Sequence, residues 1–401
     1  MKKYRNPAVV GITILLVGLF SSSCSAGHAN VSSLQQSMFA SAPGSPIPVS
    51  CGPGNVVVGD LNNDGKPDLV VSCGDDRTLT VLLSPAGRDA QFRAANPLPL
   101  PDSPGDMVIG DVNGDNNLDL AIDSHDSYGV ILILGDGKGG LSLAPNSPVV
   151  MKEGRHPHTH GLALGDMNGD RNLDLITVNN ADNDVSIAFG DGRGRFTRAP
   201  ASFAVGPSPY PSALADVNND GRLDIIATAT ATGPLRAQQL PKSFALTLLL
   251  NDGRGRFRRS ELPLRTGQPW FAQVGDVNGD RKPDLVATHH DKSALTVLLG
   301  DGAGRFSEVA GSPFDFGHNA FQIILSDVNR DGRLDAIAAA GEGVRIMLGD
   351  GQGNFKLAAG SPFQTGRGVW RLAVADMNAD NKLDIVTTNS ESKSVGILLG
   401  Q

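Results

Sequence analysis

The stretch DLNNDGKPD, residues 60–68, has Asp at its first, fifth and ninth positions and Asn at its third. Successive copies of this pattern start 51, 55, 50, 60, 51 and 49 residues apart along the chain. Their first residues are Asp60, Asp111, Asp166, Asp216, Asp276, Asp327 and Asp376. Because seven copies in near-constant phase fill the chain, the sequence predicts one repeat array without a separate second domain.

Each repeat contains short apolar runs bounded by Gly, Asp and Asn. In the first repeat, runs at 56–58, 69–71 and 79–83 flank the Asp-rich loop and a polar loop. In later repeats a glycine turn such as GDGRGRF, residues 190–196, opens a fourth run. Such runs predict strands, and no helical period competes. A period near 50 with four strands predicts an all-β fold, a seven-bladed β-propeller with four-stranded antiparallel blades over residues 37–401.

The two ends of the array complement each other. The last apolar run, 395–399, matches the third strand of earlier repeats, and no fourth run follows it. Residues 38–46 match the fourth segments at 306–313 and 355–362. We therefore expect the N-terminal strand to complete the last blade and close the ring, which removes exposed sheet edges.

The N-terminus resembles an export signal. Residues 1–24 place basic residues before an apolar stretch that is too short to span a membrane, and residues 25–36 form a polar tether. Cys24 lies where bacterial lipoproteins carry a lipid, and ordinary cleavage near Ala26 or Ala29 is the alternative. We expect an exported monomer that is periplasmic, at the cell surface or secreted, and that contacts a membrane only through such an anchor.

Charge and cysteine content narrow the partners and the compartment. The chain has 34 Lys and Arg against 42 Asp and Glu, a net charge of −8, which disfavours nucleic-acid binding. Cys51 and Cys73 are the only cysteines after the N-terminal segment. An oxidising compartment permits a disulfide between them; two buried thiols are the alternative.

The seven Asp-rich loops are candidate calcium sites. Side chains at positions 1, 3, 5 and 9, with a backbone carbonyl at position 7, supply the oxygens that Ca²⁺ prefers. We predict up to seven structural Ca²⁺ ions, which would change the formal charge from −8 to +6. The candidate ligands are Asp60, Asn62, Asp64, Asp68, Asp111, Asn113, Asp115, Asp119, Asp166, Asn168, Asp170, Asp174, Asp216, Asn218, Asp220, Asp224, Asp276, Asn278, Asp280, Asp284, Asp327, Asn329, Asp331, Asp335, Asp376, Asn378, Asp380 and Asp384.

Position 6 of each loop is expected to need a left-handed backbone. Gly or Asn occupies it in five loops and suits that conformation. Arg171 and Arg281 occupy it in the third and fifth loops. We therefore expect the calcium sites of blades 3 and 5 to be the weakest.

The combination of Asp-x-Asn-x-Asp-Gly-x-x-Asp-Leu with Leu-Gly-Asp-Gly-x-Gly-x-Phe resembles the FG-GAP/VCBS repeat family, over about residues 37–401. The resemblance implies a seven-bladed propeller, calcium in the loop between the first and second strands, and adhesion or ligand binding. The literal Phe-Gly and Gly-Ala-Pro signature is replaced by Gly-Ser-Pro-Phe, as in the bacterial branch. Integrin-like members surround a partner's cationic side chain with rim aromatics.

Strand directions divide the loops between two faces. The Asp loops and glycine turns share one face, which is called the Asp-loop face. The loops between second and third strands and the links between blades lie on the other face, which is called the rim face. The residue six positions before each pattern lies at the rim face beside the central channel. We predict the ligand-binding residues there to be His160, Tyr210, Trp270, Phe321 and Trp370.

Alternative interpretations remain for this register and for its function. The rings could plug the channel or pack between blades, and the run His156, His158 and His160 could ligate a transition metal or be solvated. We predict a binding or adhesion scaffold for a protein or glycan; a calcium-dependent carbohydrate-active enzyme such as a polysaccharide lyase is the alternative, and a rigid spacer the third. The sequence has no nucleophile elbow, zincin motif or P-loop, and no catalytic residue is assigned.

Overall fold

We describe a computed structural model of the chain. It covers residues 37–84, 92–155, 157–210, 213–229, 244–265, 267–289 and 291–401. The predicted export signal, tether and lipidation site at Cys24 lie outside these residues, as does His156. The described residues contain no helix that is long and apolar enough to cross a membrane.

Seven antiparallel sheets form the blades of a β-propeller, which confirms the predicted fold. Blade 1 comprises Pro53–Gly59, Asp68–Cys73, Thr78–Leu83, Arg93–Ala94 and Leu98–Pro99. Blade 2 comprises Pro104–Gly110, Asp119–Ser124, Gly129–Gly135, Leu141–Leu143 and Val149–Val150. Blade 3 comprises Thr159–Gly165, Asp174–Asn179, Asp184–Gly190, Phe196–Arg198 and Phe203–Ala204. Blades 4 and 5 comprise Ala213–Ala215, Asp224–Thr228, Phe244–Asn251 and Phe257–Leu264; and Pro269–Gly275, Asp284–His289, Ala294–Gly300, Phe306–Glu308 and Phe314–Asp315. Blades 6 and 7 comprise Gln322–Ser326, Asp335–Ala339, Val344–Gly349 and Phe355–Leu357; and Val369–Ala375, Asp384–Asn389, Ser394–Gly400, Phe39–Ser41 and Ile47–Pro48.

The N-terminal strand closes the ring as predicted. Phe39–Ser41 pairs antiparallel with the last strand, with Phe39 opposite Gly400. Ile47–Pro48 pairs with the same strand, with Ile47 opposite Val395. The outer strand of blade 7 therefore comes from the start of the array, and its innermost strands come from the end.

The fourth strand is interrupted in five blades, where it forms two short pieces. In three of these blades, 2, 5 and 7, the interruption contains a Ser-Pro pair, and blade 6 has such a pair after its fourth strand. In all four pairs the Ser hydroxyl accepts a hydrogen bond from the third strand. Examples are Ser45 from Ile397 N at 2.8 Å and Ser147 from Leu132 N at 3.0 Å. The hydroxyl replaces a ladder acceptor that the interrupted strand cannot supply. The repeated Ser-Pro pairs are the sequence signal for this interruption.

The hydrophobic core lies between adjacent blades. One cluster joins Val57 and Val70 of blade 1 to Ile109 and Leu120 of blade 2. The cluster of blade 7 and blade 1 closes the ring in the same way. Burial of apolar surface against both neighbours makes each blade depend on the next.

The Asp loops and the glycine turns share one face, as expected. A glycine turn contacts the Asp loop of the preceding blade, where Gly139 N donates to Leu61 O at 2.9 Å and Gly194 N to Val112 O at 3.0 Å. Near the opposite face, Cys51 and Cys73 form a disulfide, with their Cα atoms 5.8 Å apart. It joins the segment entering the first strand of blade 1 to the end of its second strand.

Candidate functional site

A β-bulge places two residues of the innermost strand beside the channel. In blades 1, 2, 3, 5 and 7 the register shifts by one residue within this strand, for example between Pro269 and Ala272. The first bulge residue belongs to the predicted register. The second bulge residue lies at a register that was not predicted to form a site, and Asn55, Asp106, Phe271 and Arg371 at this register line one small cavity of about 30 Å³.

The predicted ligand-binding residues form one continuous row of rings, here the aromatic row. His160 stacks on Tyr210 with ring centroids 4.5 Å apart. Trp270 lies edge-on to Tyr210 at 5.8 Å and to Phe321 at 5.6 Å. Trp370 lies 4.5 Å from Phe321 and 6.4 Å from Trp270. The five side chains predicted from one register are thus brought together.

The aromatic row does not enclose an empty cage. Trp270, near its centre, is only 7% exposed, whereas Trp370 at its end is 37% exposed. The guanidinium of Arg371 lies 5.4 Å from the centroid of Trp370 and 5.1 Å from that of Phe271. The chain thus supplies its own cation to these rings, and Trp370 is the ring most open to a ligand.

A charged network lies next to these rings in the channel. Arg371 Nη2 donates to Asp106 Oδ1 at 2.9 Å, and Asn55 Nδ2 donates to the same oxygen at 3.2 Å. Burial alone would raise the pKa of Asp106, but the Arg371 guanidinium outweighs it and holds the pKa below its usual value. Burial and the neighbouring Asp106 carboxylate raise the pKa of Asp123 well above its usual value.

Asp123 occupies a position that blades 1, 4, 5 and 7 fill with Ser or Thr. This position, four residues after the last Asp of each pattern, accepts a hydrogen bond from the second bulge residue. Ser72 accepts from Asn55 N at 3.0 Å, and Thr388 accepts from Arg371 N at 3.0 Å. Asp123 Oδ1 accepts from Asp106 N at 2.6 Å in the same way. A buried carboxylate therefore performs a task that a neutral hydroxyl performs elsewhere.

Three histidines meet at the rim end of blades 2 and 3. His158 Nε2 and His160 Nε2 are 2.9 Å apart, and the His125 ring lies 4.5 Å from that of His160. Burial, with the charges of His125 and His158, lowers the pKa of His160 to about 3, so this ring is neutral at physiological pH. Within the described ranges, no group of three or more His, Cys, Asp or Glu side chains is arranged to hold a metal ion.

The seven Asp loops share one hydrogen-bonding arrangement, shown here for blade 3. Asp166 at position 1 accepts from the backbone N–H groups of Asp170 at 3.2 Å and Arg171 at 2.8 Å. Asn168 at position 3 accepts from Asp170 N at 2.9 Å. These bonds fold the loop around its own carboxylate, as an Asx turn does. Positions 1, 3 and 5 are thereby brought together at the surface.

Position 9 of each pattern is buried and connects the Asp loop with the second and third strands. In blade 3, Asp174 Oδ2 accepts from Met167 N at 2.8 Å, and Asp174 Oδ1 accepts from Gly190 N at 2.9 Å at the end of the third strand. All seven copies make this pair of bonds and are 0% exposed. The ninth Asp is therefore a structural acceptor in this protein, whatever else it binds.

Two residues of each Asp loop adopt a left-handed backbone, at positions 4 and 6. At position 6 the φ values include 82° for Gly65, 72° for Arg171 and 65° for Arg281. The loop therefore imposes the left-handed conformation on Arg171 and Arg281 as well, and the weakness of the calcium sites of blades 3 and 5 stays a prediction. Position 4 was not expected to be left-handed, yet Arg330 has φ 63° and Ala379 has φ 59° there. A non-Gly residue in this region carries a conformational cost of about 1–2 kcal/mol.

The loop residues suit calcium in their chemistry. Each predicted set is all oxygen, from three carboxylates and an amide, which hard cations prefer. Burial raises the pKa of Asp174 to about 7, and the nearby Asp170 and Asp166 carboxylates add to this rise, whereas two backbone hydrogen bonds oppose it. Such crowding of carboxylates favours a cation nearby. The ligands would be positions 1, 3 and 5, with the ninth Asp completing the set through the lone pairs that its backbone donors leave.

The fold and its Asp-loop face define a class, the repeat β-propellers in which an Asp-rich loop connects the first two strands of a blade. A family model described as FG-GAP-like repeat matches residues 60–122, 166–227, 276–338 and 327–387. These matches cover more than half of the chain, which therefore belongs to the FG-GAP-like repeat family. A comparison with curated proteins finds no match.

Solved structures share the fold at low sequence identity. BBS1N in complex with ARL6DN is 13% identical, with 91% of this chain and 98% of that chain covered and a TM-score of 0.59. An Agrocybe aegerita lectin, described for specific recognition of non-reducing terminal N-acetylglucosamine, is 19% identical, with 86% of this chain and 93% of that chain covered and a TM-score of 0.52. A putative 6-phosphogluconolactonase from Bacteroides uniformis is 11% identical, with 74% of this chain and 82% of that chain covered and a TM-score of 0.54. At these identities the likeness concerns the fold alone.

Proposed function

We propose that this chain is an exported, calcium-stabilised scaffold that binds a glycan or a protein at its rim face. The observation that carries the proposal is the aromatic row, which five consecutive blades contribute at one end of the channel and which ends in the exposed Trp370. A fixed and partly exposed aromatic ring is a common element of ligand recognition. The fold itself is consistent with binding, since its structural relatives include a lectin and a protein complex.

Calcium is proposed as a structural cofactor on the opposite face. The seven Asp loops supply half of the 42 acidic residues of the chain, and their oxygens suit Ca²⁺. A cation in each loop would neutralise carboxylates that otherwise repel one another. In this role calcium would stabilise the blades, and the ligand would bind at a distance from the ions.

Export is proposed from the N-terminal sequence and from the cysteines. A disulfide between Cys51 and Cys73 suits an oxidising compartment. Lipidation at Cys24 would anchor the propeller at a membrane, in the periplasm or at the cell surface. Cleavage near Ala26 or Ala29 would release it as a monomer to the periplasm or the medium. Membrane contact would then occur only through a lipid on Cys24.

Two features of the described residues favour binding over the lyase alternative. A lyase needs a base that takes a proton from a substrate carbon at neutral pH. His160 lies beside Tyr210, but its pKa of about 3 makes it a weak base. The Arg371 guanidinium, which could otherwise approach a uronate, is paired with Asp106. Binding without turnover therefore agrees better with the described residues.

A binding and degradation screen tests the proposal. The full chain, with Ca²⁺, is applied to a glycan array and to immobilised extracellular proteins, beside Trp370→Ala and the distant surface variant Glu153→Gln. We expect binding that Trp370→Ala loses and Glu153→Gln keeps, without product formation. Unsaturated product that absorbs in the ultraviolet would establish the lyase instead. Ligand binding that survives Trp370→Ala would overturn the proposal, because it would place the site away from the exposed end of the aromatic row.

A further inference from the structure

An open pocket of about 680 Å³ lies on the rim face between blades 6 and 7. Two backbone hydrogen bonds hold its base, from Gly341 N to Val369 O at 3.0 Å and from Val369 N to Gly341 O at 2.9 Å. They join the loop after the second strand of blade 6 to the first strand of blade 7, so the pocket has a preformed base. Its side-chain lining includes Phe321, Glu342, Gln364, Arg367, Trp370 and Glu391.

Trp370 provides an apolar surface in this pocket. Within the described part of the chain it is one of four large hydrophobic residues at the surface, and the only aromatic one among them. Phe321 packs against its ring, and the Arg371 guanidinium lies 5.4 Å from its centroid. These contacts hold the indole in place while more than a third of it stays exposed. A fixed ring loses little conformational entropy when a flat apolar face stacks on it.

Polar side chains surround the indole. Glu342, Gln364, Arg367 and Glu391 are all exposed at the pocket. Glu342 is held in place by an ion pair with Arg345. Carboxylates accept hydrogen bonds from hydroxyl groups, whereas amide and guanidinium groups donate to hydroxyl oxygens.

One apolar ring among convergent polar groups suits a pyranose, which presents C–H groups on its faces and hydroxyls at its edge. The volume lies within the range of small-molecule sites. A protein partner would need a larger apolar area than this pocket offers. Glu342 is already paired with Arg345, which leaves one carboxylate, Glu391, and one guanidinium, Arg367, at the pocket. The pocket therefore has no excess positive charge to favour a uronate over an uncharged sugar.

We propose that the pocket between blades 6 and 7 binds a neutral pyranose unit of a glycan, with Trp370 stacked on the sugar face and Glu391 and Gln364 bonded to its hydroxyls. This proposal rests on the proposed function, and it assigns a ligand class and polar partners to the exposed end of the aromatic row. Arg367 donates to ring or hydroxyl oxygens from the side of blade 7. The other rings of the row support Trp370 and do not contact the sugar.

The test measures binding of neutral and acidic oligosaccharides to the full chain by calorimetry. Probes of three to six units are taken from chitin, cellulose, mannan and starch, with polygalacturonate fragments as the acidic set. We expect a neutral probe to bind, Trp370→Ala to weaken it more than about tenfold, and Glu391→Gln and Gln364→Ala to weaken it about three- to tenfold each. Trp370→Phe keeps a stacking ring and should retain most of the affinity. Glu153→Gln, in the link between blades 2 and 3 and outside this pocket, should change nothing.

The outcomes separate this proposal from the proposed function. Neutral binding that needs Trp370 but ignores Glu391 and Gln364 would overturn the pocket and leave the rim-face function intact. Preference for the uronate fragments would overturn the neutral ligand class, as would a rim-dependent protein ligand without any sugar binding. If no glycan or protein ligand depends on Trp370, both proposals fail. Circular dichroism of each variant excludes unfolding as the cause of lost binding.

Discussion

Arg371 of blade 7 donates a 2.9 Å hydrogen bond to Asp106 of blade 2, and the two residues are 265 positions apart in the sequence. Their side chains are only 12% and 17% exposed. Asn55 of blade 1, between these two blades, bonds to the same carboxylate. The pair therefore bridges the seam of the ring, where the last and first blades meet. Its position suggests that closure depends on charge in the channel as well as on strand pairing.

The first prediction concerns this pair. Arg371→Gln leaves the Asp106 carboxylate largely buried without its cation, and we expect a loss of about 3–5 kcal/mol in the free energy of unfolding. The double variant Asp106→Leu with Arg371→Met removes both charges and should recover most of that loss. Denaturant unfolding measures both. Arg198→Ala, which breaks an exposed ion pair, is the control and should change little. Equal losses in the single and double variants would contradict the argument.

The second prediction concerns Asp123. Burial and the Asp106 carboxylate raise the pKa of Asp123, and the Arg371 guanidinium opposes this shift. A carboxyl group whose pKa is raised in the folded protein favours folding in its protonated form. This contribution to stability is complete below the ordinary carboxyl pKa of about 3.9, and it is lost as the pH rises through the pKa of the folded state. Asp123→Thr adopts the residue of blades 4, 5 and 7, keeps an acceptor for Asp106 N and removes the charge. Relative to the natural chain, the variant should gain stability from pH 5 to pH 8. A difference that does not change with pH would refute this.

The third prediction concerns the left-handed arginines. Arg171→Gly and Arg281→Gly relieve a conformation that costs about 1–2 kcal/mol but add freedom to the unfolded chain, so a net gain of about 0.5–1 kcal/mol is expected for each. Arg193→Gly removes an equally exposed Arg of the same face that is not left-handed, and it should not stabilise. Thermal unfolding in calcium and in chelator compares them. If blades 3 and 5 bind calcium weakly because of these residues, the gain will be larger with calcium.

The repeat explains why the fold could be predicted from sequence. Each copy of the pattern supplies a loop with an acceptor at its ninth position, and apolar runs at fixed distances on both sides supply the strands. Local signals and the period of about 50 residues therefore agree seven times over. Ring closure followed from the match of residues 38–46 to other fourth segments, and the pairing of Phe39 with Gly400 confirms it.

The candidate site could be predicted only in part. The aromatic row was found because one register repeats in every blade. The Asp106–Arg371 pair was missed because its members lie at the next register, where residue types differ from blade to blade, and only a β-bulge aims that register inward. The Ser or Thr four residues after the last Asp was the available signal. His289 at the end of the second strand of blade 5 is fully buried and bonds to Thr296 of the same blade, so it is not available at the rim face.

The fourth prediction separates calcium binding from the hydrogen bonds of the loop. Asp170 at position 5 is exposed, whereas Asp174 at position 9 accepts two backbone N–H groups. In chelator, Asp170→Asn should match the natural chain, and Asp174→Asn should lose about 1–3 kcal/mol because a buried donor is left without an acceptor. Calcium should raise the melting temperature of the natural chain, and less so that of Asp170→Asn. Differential scanning calorimetry measures these shifts, and no response to calcium would remove it as a structural cofactor.

The fifth prediction concerns the two tryptophans of the aromatic row, which differ in burial. Trp270 is 7% exposed and contacts Tyr210, Phe321 and Trp370, so Trp270→Ala should lose about 3–5 kcal/mol of unfolding free energy. Trp370 is 37% exposed, and Trp370→Ala should cost about 1 kcal/mol or less. Urea unfolding compares them, with Trp270→Phe as the conservative control. Only the Trp370 variant can then report on ligand binding, because its fold survives the change. Equal destabilisation by both substitutions would mean that the row is packing throughout and that its exposed end is not prepared for a ligand.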